Sequence, residues 1–79
     1  MDDNLKLSYS ARMPLSEALA LFRRLGVHVE AMSPSNFTLA YFALAKRYHP
    51  DRNPKFHELM ANINAARGTI VKSYRRPAP

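Results

Sequence analysis

Residues 33–54 read Ser33-Pro34-Ser35-Asn36-Phe37-Thr38-Leu39-Ala40-Tyr41-Phe42-Ala43-Leu44-Ala45-Lys46-Arg47-Tyr48-His49-Pro50-Asp51-Arg52-Asn53-Pro54. Phe37, Ala40, Tyr41, Leu44, Ala45 and Tyr48 recur at i, i+3, i+4, i+7, i+8 and i+11, which is one apolar stripe along a helix. Ser33 suits an N-cap and Pro34 a first helical position, where its missing N–H is no loss. Pro50 ends the run, because a residue before proline is pushed out of the α region. The stretch predicts a helix over about 34–48 and a stiff turn over 49–54. Leu39, Phe42 and Lys46 fall on the face opposite the stripe.

Two more helical patterns flank it. Leu15, Ala18, Leu19, Phe22 and Leu25 share a face and predict a helix over about 14–25. Pro14 suits its first position, Gly26 its stop, and Arg23 and Arg24 complement the dipole of its last turn. Phe56, Leu59, Met60, Ile63, Ala66 and Ile70 predict a third helix over about 55–71. Gly68 inside it costs up to about 1 kcal/mol relative to alanine. Val27-His28-Val29 is too short for a strand and has no partner. Residues 1–13 read as a flexible arm and 73–79 as a flexible basic tail. The fold class is all-α. The short connection at 49–54 makes the second and third helices antiparallel neighbours.

The chain has 79 residues, 47% apolar and 23% charged, enough for one small globular domain. Cysteine is absent and glycine occurs only twice, which excludes a disulfide framework, a thiolate metal site and a glycine-rich phosphate loop. No apolar run approaches a membrane span, and the acidic Met1-Asp2-Asp3-Asn4 start is unlike a secretory leader, so the expected location is cytoplasmic. Charge is unevenly placed. Residues 1–40 hold four basic and four acidic side chains, so the formal net charge of +6 resides in residues 41–79. That half favours an anionic partner.

The turn concentrates chemistry. Two prolines pin its backbone, His49 offers a donor and an acceptor, Asp51 offers a carboxylate, and Lys46, Arg47 and Arg52 surround them with positive charge. In this setting the chain resembles the J domain of the DnaJ family. His49-Pro50-Asp51 follows an amphipathic helix as that family's tripeptide does. Leu25-Gly26-Val27, Ser33-Pro34, Ala40-Tyr41, Leu44-Ala45, Arg47-Tyr48, Arg52-Asn53-Pro54, Met60, Ile63-Asn64, Ala66 and Ile70 fall at the family's spacings, over about residues 15–71. The resemblance implies a three-helix J-domain fold over 14–72. It also implies a co-chaperone, not an enzyme, that binds a DnaK-class (seventy-kilodalton heat-shock) chaperone and stimulates its ATP hydrolysis. Carried over, His49, Pro50 and Asp51 are the stimulating tripeptide, Lys46, Arg47 and Arg52 the basic contacts, and Asn53 a neighbour. No cofactor or metal is implied.

The chain also departs from the family. Phe42 and Ala43 stand where a basic pair is common, and Arg67 where a tyrosine is common. Past Ile70 the family's fourth helix is expected to be missing or vestigial, and no client-binding region is expected. Phe42 either packs under the first helix or the Val27–Met32 loop, or forms a second contact patch with Leu39, for self-association or for a non-standard chaperone. A J-like module acting as adaptor or decoy is one alternative. A small basic nucleic-acid binder is another, although no helix exposes a dense row of groups for reading base edges. His49 and Asp51 could pair as base and orienter, but no nucleophile is placed near them. His49, Asp51, His57 and Glu58 match no strong metal-ligand spacing. His28 reads as a solvated loop residue.

Overall fold

A computed structural model describes residues 13–75. Most of the expected arm (residues 1–12) and the last residues of the expected tail (76–79) lie outside the described residues. Three α-helices follow one another: α1, Leu15–Arg24; α2, Pro34–Arg47; and α3, Phe56–Arg75. A single turn of 3-10 helix, Val29–Ala31, lies between α1 and α2. The described residues contain no strand and are all-α.

The helix ends have local causes. Pro14 is extended (φ −62°, ψ 151°), so it stands one position before the helix as its N-cap, not within it. Its carbonyl accepts the Ala18 N–H at 3.0 Å. Gly26, at φ +89°, carries the chain out of α1 in the left-handed region. There the Gly26 N–H donates to the Arg23 carbonyl at 2.9 Å and the Val27 N–H to the Phe22 carbonyl at 2.8 Å. This paired closure satisfies carbonyls that a helix end otherwise leaves open, and it folds Val27 back onto Phe22. At the start of α2 the Ser33 hydroxyl accepts the Asn36 N–H at 3.1 Å.

Eleven apolar side chains form one core: Ala18, Leu21, Phe22, Val27, Val29, Phe37, Leu44, Met60, Ile63, Ala66 and Ile70. The face of α3 supplies Met60, Ile63, Ala66 and Ile70, and α3 packs most extensively on α1. The Phe22 ring meets Phe37 edge-on at 5.1 Å, which ties α1 to α2. Helices α2 and α3 run antiparallel. Tyr48 faces Phe56, Tyr41 faces Asn64 and Phe37 faces Tyr74 in turn away from the loop.

Several expectations change. Leu15 is exposed and Leu21 is buried in its place, because the contact with α3 turns α1 toward its Ala18–Leu21–Phe22 side. Val27 and Val29 join the core from a segment with no helical period. Met13 belongs to the folded part and not to a loose arm. Its carbonyl accepts the Thr69 hydroxyl at 2.7 Å, and its side chain packs on the core. The third helix continues past Val71 to Arg75. Its last turn has partners: the Ser73 hydroxyl donates to the Ile70 carbonyl at 2.6 Å, and the Tyr74 ring lies 6.2 Å from Phe37. Loss of water around the Tyr74 hydroxyl holds it above the usual phenol pKa. Phe42 does not pack under α1 or the Val27–Met32 segment; it is 53% exposed.

The two glycines should respond oppositely to alanine. A Cβ at Gly68 meets no atom within 4 Å, so Gly68→Ala raises stability by about 0.5–1 kcal/mol. A Cβ at Gly26 also meets nothing, but its φ of +89° suits only glycine well, so Gly26→Ala lowers stability by about 1–2 kcal/mol. Urea unfolding of both variants checks the pair of signs.

Candidate functional site

The turn between α2 and α3 is built from its base upward. Tyr48, just past the end of α2, and Phe56, the first residue of α3, meet edge-on at 5.2 Å and 89°. This contact closes the hairpin beneath the turn. Arg47 leans on the outer side of the same clamp, its guanidinium carbon 5.7 Å from the Tyr48 ring centre. Above it, the Arg52 N–H donates to the His49 carbonyl at 3.0 Å. That bond spans four residues and makes His49–Arg52 a β-turn, with Pro50 at the position where its fixed φ is favoured. The Asn53 side-chain oxygen then accepts the Lys55 N–H at 2.9 Å and steers the chain into α3. No residue of the turn needs a positive φ. Asn53, expected as a contact neighbour, therefore has a structural task, and it is half-buried.

His49 and Asp51 are coupled within the turn. The Asp51 N–H donates to His49 Nδ1 at 3.2 Å. In the neutral ring, an Nδ1 that accepts this bond leaves the proton on Nε2. The Asp51 carboxylate lies 3.6 Å from the same nitrogen, an ion pair only with a protonated ring. Its side chain is 91% exposed, so its oxygens are open to a partner. Lys46, His49, Asp51 and Arg52 line one shallow open depression of about 400 Å³. Arg47 is exposed beside it and Pro50 is half-buried beneath. The arrangement presents an N–H donor, a carboxylate and two flexible cations on a fixed backbone. It suits recognition of a surface bearing both acidic groups and a cation.

The other candidates stand apart from this cluster. His28, His57 and Glu58 are exposed, and among the described residues no three His, Asp or Glu side chains come together to hold a metal ion. Leu39 is 66% exposed and lies on the outer face of α2 with Phe42.

The hairpin holds one contact that the apolar pattern does not encode. The Tyr41 hydroxyl donates to Asn64 Oδ1 at 2.7 Å, and the Arg67 guanidinium carbon lies 4.9 Å from the Tyr41 ring centre. The register carries its signal. Counting equally outward from the turn pairs 48 with 56 and places 41 close to 64. Arg67, in the position where the family resemblance leads one to expect tyrosine, here covers a tyrosine of the facing helix.

No protein-family model matches the chain, and no curated protein or solved structure matches it either.

Tyr41→Phe removes the bond to Asn64 and should cost about 0.5–1.5 kcal/mol in urea unfolding. Arg67→Met should cost about 0.5–1 kcal/mol, the range of a partly exposed cation–ring contact. The nitrogen-15 shifts of the His49 ring should report the Nε2–H tautomer at a pH where the ring is neutral; an Nδ1–H tautomer contradicts the turn geometry.

Proposed function

We propose that the chain is a J-domain co-chaperone, which docks through the His49-Pro50-Asp51 turn on a DnaK-class chaperone and stimulates its ATP hydrolysis. The observation that carries this reading is the turn itself. It is exposed, internally bonded and held at the tip of an antiparallel helical hairpin, with Lys46, Arg47 and Arg52 beside it. The antiparallel hairpin and the capped start of α2 agree with the resemblance of residues 15–71 to the family. The outer face of α2, with Leu39 and Phe42, is poorly suited to reading base edges in a nucleic-acid groove.

The mechanism is one of differential binding. The cations raise the encounter rate with an acidic chaperone surface and orient the approach. His49 Nε2–H and the Asp51 carboxylate then bind one chaperone conformation better than the other. That preference shifts the chaperone population toward the hydrolysing state. No bond is made or broken by this chain. The rigid turn lowers the ordering cost of contact, since its backbone is bonded before the partner arrives.

In single-turnover ATP hydrolysis by purified DnaK, the full chain should raise the rate, and His49→Gln or Asp51→Asn should return it to the basal value. The double charge reversal Lys46→Glu/Arg52→Glu should weaken apparent affinity. Raising salt from about 0.05 M to about 0.3 M should weaken the wild-type chain and leave the charge-reversed variant little changed. Full stimulation by His49→Gln, or retardation of random duplex DNA with no effect on ATP hydrolysis, removes the assignment.

A further inference from the structure

Leu39 and Phe42 are the two large apolar side chains that α2 leaves in water, at 66% and 53% exposure. Phe37 and Leu44 are buried on the opposite side of the helix, so these two have no structural task in the core. They stand at i and i+3 of one outer face, and Lys46, at i+7 from Leu39, completes that face. Lys46 also lines the depression at the turn, together with His49, Asp51 and Arg52. The apolar strip therefore runs into the cationic turn over about 10 Å of helix, with no acidic side chain between them.

We infer that Leu39 and Phe42 form the apolar half of the same docking surface, and that the chaperone which takes the turn offers an apolar strip next to its acidic groups. This inference rests on the reading above. Continuity through Lys46 argues for one partner covering both halves. Area argues against a second copy of the chain. Two side chains at these exposures give a strip on the order of 200 Å², whereas a stable dimer needs about 800 Å² from each partner. As part of a larger interface, the same strip adds salt-independent binding to a salt-sensitive electrostatic contact.

The test measures DnaK affinity, unfolding midpoint and sedimentation mass for the full-length wild type, the Leu39→Ser/Phe42→Ser double variant and His49→Gln. The expected result is a loss of affinity of about tenfold or more in the double variant, at low and high salt alike. Its unfolding midpoint and mass should stay as in the wild type. Unchanged affinity in the double variant, with stimulation still abolished by His49→Gln, overturns the apolar half and leaves the turn assignment standing. A wild-type chain that neither binds nor stimulates overturns both. A fall in mass on substitution assigns the strip to a second copy, and a fall in unfolding midpoint assigns it to cover by the chain's own residues 1–12; either overturns the inference.

Discussion

Ile63, Ala66 and Ile70 are almost completely removed from water along one face of α3, and both other helices depend on that face. From one side it receives Ala18, Leu21 and Phe22 of α1; from the other it receives Phe37 and Leu44 of α2. A chain of this size has little apolar surface to spare, and a central helix shared by two neighbours makes each buried side chain count twice. The edge-on meeting of Phe22 and Phe37 closes the third side. Removing volume at Ile63 would therefore loosen the hairpin and the α1 contact together, where a loss at the rim would loosen only one.

The turn takes its stiffness from this arrangement and adds to it. Tyr48 and Phe56 hold the two helix ends together, and Pro50, the His49–Arg52 backbone bond and the Asn53 side chain fix what lies between. Water reaches the polar atoms left over, namely the His49 Nε2 edge, the Asp51 carboxylate and the Lys46 and Arg52 head groups. The division is clear in physical terms. Polar groups that shape the backbone are spent inside the turn, and those that remain face outward. The backbone N–H two residues on takes up Nδ1 of the neutral His49 ring and leaves its Nε2 edge as the outward donor.

Much of this was legible beforehand where local rules act alone. The Ser33 cap, the exit at Gly26 and the stripe of α2 each depend on a few neighbouring residues, and each stands where the pattern puts it. What was not legible depends on how helices meet. Leu15 and Leu21 both border the apolar face of α1, and only the contact with α3 selects Leu21. Val27 and Val29 have no period to betray them; the closure after α1 delivers them to the core. The extension of α3 to Arg75 follows from Tyr74 meeting Phe37, a contact across more than thirty positions. At the candidate site, the tripeptide and its surrounding cations were visible in sequence. The covering of Tyr41 by Arg67 was not, since it is set by register across the hairpin, and the local bond from the Lys55 N–H to Asn53 is one of several uses an asparagine in a turn can have.

The bond between the Thr69 hydroxyl and the Met13 carbonyl brings the entrance of the folded part beside the last third of α3. Thr69 lies thirteen residues along from Phe56, about 20 Å from the turn along the helix axis. Met13 and the last third of α3 are thus neighbours, and both are remote from the contact tip. A circular permutant of residues 13–75 that links Met13 to Arg75 and opens the chain within the Val27–Met32 segment should keep the tip intact.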